Sequence, residues 1–296
     1  MQLRTSKITV NVPKLKLPKQ EHRVVPDSLP SIDNGGFIGG IIGSRGSSKT
    51  TKMVELLLMY DKTESFDYVI IFSPTFNADP KYKYLEDNLH YANIDTYHDF
   101  DTATFHDLKE QIQKRLDEYK KYENYKKVYN KFMKYKGKSL KNFPQYDLML
   151  LYEHDFEEPQ TKYKNGVPTT LMVFDDLNYC RELYSNSNTG KNDVKRTMIL
   201  HRHIKTSMLF LCQTYHNGIP KAIRNNLSLL ILFKNKSPQM VKDISMELSS
   251  HISPDKFAEL FQNATQEPYS FFMIDYDAPK ELKFRKNWNE LYNLED

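Results

Sequence analysis

The chain has 296 residues, 39% hydrophobic and 27% charged, which suffices for one large core or for a core carrying a substantial insertion. Its formal net charge of +4 permits an acidic partner without demanding one, and the opening MQLRTSKITVNVPKLKLPKQ has no continuous apolar run, so neither a signal peptide nor a membrane anchor is expected. Cys180 and Cys212 lack the close, repeated spacing of a zinc site or a disulfide framework, and a reducing compartment is the simplest reading.

Residues 1–34 hold Pro13, Pro18, Pro26 and Pro30 among scattered charges, a pattern that suits an extended arm. The ordered domain is expected over 35–296. Phe37 to Ile42 reads as a buried strand ending at Gly43, and Met53, Leu56, Leu57 and Tyr60 mark one face of the helix that follows. Tyr68 to Phe72 is apolar without alternation, as in a parallel strand covered on both faces. From Phe105 the positions Leu108, Ile112, Leu116 and Tyr119 keep a helical period, predicting a long amphipathic helix over 105–135 and a second short one near Asp147 to His154. Residues 109–138 carry eleven Lys or Arg against four Asp or Glu, a net +7, so 100–166 reads as a basic helical insertion. Further strands are expected at Leu171 to Phe174, Met208 to Cys212, Leu229 to Phe233 and Phe271 to Ile274. Helices are expected near 192–202, 238–247 and 255–263, and a Ser, Asn and Gly-rich loop at 184–193. Strands alternating with helices predict an α/β fold with a largely parallel central sheet.

Between the first strand and its helix stands Gly43-Ser44-Arg45-Gly46-Ser47-Ser48-Lys49-Thr50-Thr51. Small residues there let consecutive backbone N–H groups wrap a phosphate at a helix N-terminus, Lys49 then reaches the β- and γ-phosphates, and the Thr50 hydroxyl is placed for Mg²⁺. Ser48 stands where such loops usually have glycine, and a left-handed backbone there would add roughly 1–2 kcal/mol of strain. The competing reading is a Ser/Gly turn capping the helix through Thr50 or Ser47.

The apolar strand Leu171 to Phe174 ends in Asp175-Asp176. Paired carboxylates at a strand end allow Asp175 to hold the metal and Asp176 to take a proton from attacking water, although an acidic turn or cap would look the same. Gln213 ends the strand before it in the same apolar-then-polar manner. Its carboxamide donates and accepts, so it could orient water and sense the γ-phosphate, or simply close a strand. Arg224, slightly preferred, and Arg202 are candidates for an arginine supplied to a neighbouring subunit's site; either could instead pair with surface carboxylates. The lysines of 105–135 are interleaved with Tyr119, Tyr122, Tyr125, Tyr129 and Tyr135, a combination that serves nucleic-acid contact or a solvated or docking face equally well.

With these motifs assembled, the strings GGFIGGIIGSRGSSKTT, TTLMVFDDL, HRHIKTSMLFLCQTYHNGIPKAIRNN and YSFFMIDYD make the chain resemble the poxvirus-type DNA-packaging ATPases of the FtsK–HerA superfamily, which occur also in giant viruses, virophages and virus-like transposons. The resemblance covers most of 36–276 and implies a RecA/FtsK-like (ASCE) P-loop NTPase. It also implies ATP and Mg²⁺ as cofactors, double-stranded DNA as substrate, a homo-oligomeric ring and a capsid-vertex protein as partners, and no membrane partner. Work at an assembly site in the host cytoplasm or nucleus, or carriage in the particle, follows from the same resemblance. A helicase, a conjugation-like translocase and a non-hydrolysing scaffold that recruits DNA remain the alternatives.

Overall fold

A computed structural model describes residues 25, 26, 29, 30, 32, 35–135, 140, 143–177, 180, 183, 193–216, 218, 219, 221–235, 237–248 and 252–293. The expected arm at 1–34, the loop at 184–193 and the basic end of the insertion at 136–138 lie largely outside them.

Six strands run parallel: β1 (Ile38–Ile42), β2 (Tyr68–Phe72), β3 (Asn93–Tyr97), β4 (Thr170–Asp175), β5 (Thr206–Cys212) and β6 (Leu229–Phe233). Beyond β6 the sheet turns antiparallel through β7 (Phe271–Asp275), β8 (Phe284–Lys286) and β9 (Glu290–Leu291). The spatial order is β3-β2-β4-β5-β1-β6-β7-β8-β9. Every residue of β1, β4, β5, β6 and β7 is buried, as the unbroken apolar runs require of strands covered on both faces.

Successive strand residues point to opposite faces, so each strand feeds two cores. Met172 and Phe174 of β4 join one core, while Leu171 and Val173 join the other. On the second face lie α1 (Lys49–Lys62) and α2 (Pro80–Asn88), contributing Met53, Leu56, Leu57, Tyr82 and Leu85. On the first lie the N-terminal half of α3 (Thr102–Tyr135), α5 (Asp193–Leu200), α7 (Pro238–Glu247) and α8 (Pro254–Ala264), with the short α6 (Lys221–Arg224) in the crossover from β5 to β6. Register sets Phe72 opposite Phe174 and Phe174 opposite Phe210, and their rings stack with centroids 5.3 and 4.8 Å apart.

Helix α3 divides in two along its length. Phe105, Leu108, Ile112 and Leu116 pack into the sheet's core, whereas Tyr125 and Val128 join Phe143 and Leu151 of α4 (Gln145–Glu153) in a separate small cluster. None of its five tyrosine rings is exposed: Tyr119 and Tyr125 are buried, and Tyr122, Tyr129 and Tyr135 are half-buried. The helical period puts the rings on or beside the inward face, so they are spent on packing rather than held open for bases. Lys120, Lys121, Lys126 and Lys127 stay exposed. Among the described residues, no helix is long and apolar enough to cross a membrane.

Candidate nucleotide-binding site

The C-terminal ends of β1, β5, β4 and β2 lie side by side along one edge of the sheet, the edge at which open α/β sheets bind ligands. From β1 the chain enters the loop Gly43–Ser48 and then α1, whose N-terminus carries the partial positive charge that favours an anion. Gly46, at φ +79°, has open space where a Cβ would project. At Gly43 a Cβ would run into the Ser47 hydroxyl and Phe233, so the first turn of the loop needs glycine for room. Lys49 is buried, and its ammonium donates back into the loop, to the carbonyls of Gly43 at 2.9 Å and Ser44 at 3.4 Å. Arg45 is exposed, and Thr51 is half-buried in the first turn of α1.

Ser48 adopts φ 74°, ψ 23°, the left-handed region in which a side chain is strained. Its side chain caps nothing. Nor do the other hydroxyls: Ser47 Oγ is buried without a hydrogen-bond partner, and Thr50 Oγ1 donates to Asp175 Oδ2 at 3.4 Å. The geometry therefore departs from a simple capped turn.

Asp175, the last residue of β4, is 1% exposed. Besides Thr50, its Oδ2 accepts from the phenol of Tyr82 at 2.5 Å, while its Oδ1 is buried with no partner. Burial raises its pKa to about 6; the neighbouring Asp176 charge adds to the rise, and the Tyr82 bond and Lys49 oppose it. The phenol of Tyr82 is itself pushed far above its ordinary value by burial and by the charge of Asp175, so it acts as a donor. Asp176 has φ 53°, and its Oδ1 is likewise buried without a partner. Two strained non-glycine residues, Ser48 and Asp176, thus flank one site, where strain is commonly stored.

Gln213 follows β5, and β5 lies between β1 and β4, with Cys212 opposite Ile42 and Leu211 opposite Asp175. The sheet order therefore sets Gln213, exposed, between the Gly43–Ser48 loop and the acidic pair. The two arginines are elsewhere. Arg202 precedes β5, and its backbone abuts Gly35 before β1, on the opposite edge of the sheet. It is half exposed, with Asp277 at 4.0 Å. Arg224 is held in its own chain: it donates to the Ile219 carbonyl at 2.7 Å, pairs with Glu247 at 3.3 Å and lies over the Tyr215 ring. None of these contacts involves the Gly43–Thr50 loop.

Tyr82 is the site residue that sequence reasoning missed. It lies in a stretch, 73–104, that offers no motif, and only the return of α2 beneath the end of β4 brings it to Asp175.

The polar atoms left without partners suit a magnesium nucleotide. Of the buried side-chain atoms among the described residues that lack a hydrogen bond, three belong to this edge: Ser47 Oγ, Asp175 Oδ1 and Asp176 Oδ1. No group of three or more His, Cys, Asp or Glu side chains gathers as a metal site among the described residues. Magnesium bound with phosphates needs few protein ligands, since it keeps several waters, and Thr50 with Asp175 is a donor set of that kind.

No family model matches the chain, and no curated protein matches it in sequence. Among solved structures, the chain is similar to the genome packaging NTPase B204 from Sulfolobus turreted icosahedral virus 2 in complex with AMP, at 12% identity and a TM-score of 0.49, over 86% of this chain and 97% of that one. It is also similar to the pCW3 conjugation coupling protein TcpA with ATPγS, at 15% identity and a TM-score of 0.44, over 88% of this chain and 62% of that one. The cytoplasmic domain of the Thermomonospora curvata type VII secretion ATPase EccC matches at 15% identity and a TM-score of 0.43, over 86% of this chain and 26% of that one. With the Gly43–Ser48 loop between β1 and α1, an acidic pair ending β4 and β5 inserted between those two strands, the chain has the α/β fold with a largely parallel central sheet expected from its sequence.

Proposed function

We propose that the chain is an ATPase that moves double-stranded DNA, and within that class the motor that drives a viral genome into a preformed capsid. The observation that carries the ATPase reading is the convergence at one sheet edge of Lys49, Thr50, Asp175 and Asp176, with three buried polar atoms lacking partners. The backbone of Gly43 to Thr51 would cradle the phosphates, and Lys49 would exchange its two loop carbonyls for β- and γ-phosphate oxygens. Thr50 and Asp175 would hold Mg²⁺, which when bound neutralises charge on those oxygens. Asp176 is assigned the proton of the attacking water, and Gln213 its orientation.

The DNA-moving and packaging part is supported by the motif resemblance, and the exposed lysines of α3 add a surface suited to a phosphate backbone. An active homo-oligomeric ring, docked at a capsid vertex, completes the proposal. Arg224 or Arg202 would act across a subunit boundary, and for Arg224 that requires release from Glu247.

The test is turnover with and without linear duplex DNA in two variants. Lys49→Ala is expected to lose MgATP binding, and Asp176→Asn to keep binding and lose turnover. Unchanged hydrolysis in both folded variants would sink the reading. Strand displacement would make the protein a helicase, and DNA binding without any turnover a scaffold.

A further inference from the structure

The carboxylate of Asp175 has two unlike oxygens. Oδ2 receives the Tyr82 phenol at 2.5 Å and the Thr50 hydroxyl at a longer 3.4 Å, whereas Oδ1 is buried and has no partner. Free rotation of a carboxylate would exchange the two positions. That exchange is between equivalent atoms and changes nothing, but a bond from a fixed donor holds the plane of the carboxylate, because any intermediate angle would leave the donor unpaired in a dry interior.

Tyr82 is fixed by local sequence. The Asp79 side chain accepts from the Lys81 backbone N–H and Pro80 opens α2, so the first helical turn is fixed at Pro80, after the turn at 73–79 that follows β2. Tyr82 falls in that first turn, fully buried, with its ring 4.7 Å from that of Phe76.

We infer that Tyr82 is a positioning residue for metal binding: its hydroxyl holds Asp175 Oδ2 so that Oδ1 faces the metal's water shell and Thr50 is free to turn its own hydroxyl to the metal. The inference rests on the nucleotide-binding reading above. The weaker of the two bonds to Oδ2 is the one from Thr50, so Thr50 can leave while Asp175 stays anchored. Without the phenol, Thr50 would have to serve both the carboxylate and the metal.

The test is Tyr82→Phe in the full chain, which keeps the buried ring and removes only the hydroxyl. Two bindings are measured: a non-hydrolysable ATP analogue in EDTA, and Mn²⁺ in the presence of that analogue, read by electron paramagnetic resonance. The analogue should bind as in the parent without metal, and Mn²⁺ should bind about tenfold more weakly, the size expected for one lost hydrogen bond to a charged group. Equal Mn²⁺ affinity in variant and parent overturns the inference. Equal weakening of both bindings also overturns it, since that marks general damage to the pocket. A parent that binds no analogue, with or without metal, overturns the nucleotide reading, and the inference with it. Should Tyr82→Phe not fold, 3-fluorotyrosine placed at position 82 gives the second readout. Its fluorine resonance should move when Mg²⁺ joins the analogue complex and stay put with the analogue alone; a resonance indifferent to Mg²⁺ overturns the inference.

Discussion

Replacing Asp175 by Asn should stabilise the metal-free protein while abolishing its activity, and the gain should fade as the pH falls. The carboxyl is 1% exposed, and its pKa stands at about 6 against an ordinary 3.8, chiefly because burial disfavours its charge. A rise of roughly two units at about 1.36 kcal/mol each makes the ionised group cost the fold about 3 kcal/mol near pH 8. For an acid whose folded pKa lies above its unfolded value, the folded state holds the extra proton between the two. The cost is therefore complete above about pH 6 and vanishes below about pH 4, with roughly half of it left near pH 5. Asn has no charge to bury, but its amide placed at Oδ1 would lack a partner, an offset of about 1–3 kcal/mol that does not vary with pH. The stability difference between variant and parent, from urea unfolding in EDTA, should consequently shrink by about 1.5 kcal/mol between pH 8 and pH 5. Titration of carboxyls remote from Asp175 is common to both proteins and cancels. A difference that stays flat across this range would refute the claim that Asp175 is a charge buried at the fold's expense.

Ser48→Gly should raise stability by about 1 kcal/mol or slightly less, because the left-handed strain of roughly 1–2 kcal/mol is relieved while glycine's chain freedom takes back about half; a lower urea midpoint would show that Ser48 is held there by something other than tolerated strain. Mixing Arg224→Ala chains with Lys49→Ala chains should restore part of the hydrolysis that either loses alone, with Arg224→Ala down about a thousandfold on its own. Rescue in an Arg202→Ala mixture instead would transfer the role to Arg202. Exchanging Lys120, Lys121, Lys126 and Lys127 for Gln should leave DNA-independent turnover intact and flatten the log-log salt dependence of duplex binding by up to about 3.6, some 0.9 for each lost phosphate contact. An unchanged slope and affinity would remove those lysines from the DNA path.

Local patterning determined much of this protein. The apolar runs at 37–42, 171–174, 208–212 and 229–233 are strands because a sheet covered on both faces leaves them no polar side, and the 3.6-residue spacing after Phe105 is enough to draw α3. The Gly43–Thr51 loop and the Asp175-Asp176 pair were legible because each is contiguous in sequence and carries its chemistry in its own spacing. The stretch 73–104 was not legible: α2 is short, and β3, on the sheet's edge, has no buried run to mark it. The antiparallel strands β8 and β9, three and two residues long, are too brief for any period. Three matters belonged to the tertiary structure alone. Strand order, fixed by crossovers that sequence does not encode locally, put Gln213 between loop and acidic pair and left Arg202 on the far edge. Packing of α3 against sheet and α4 turned its tyrosines inward, where a charge-and-ring pattern alone allowed them to face either way. And the meeting of Tyr82 with Asp175, 93 residues apart, depends on where α2 docks, a long-range contact that no periodicity in either segment announces.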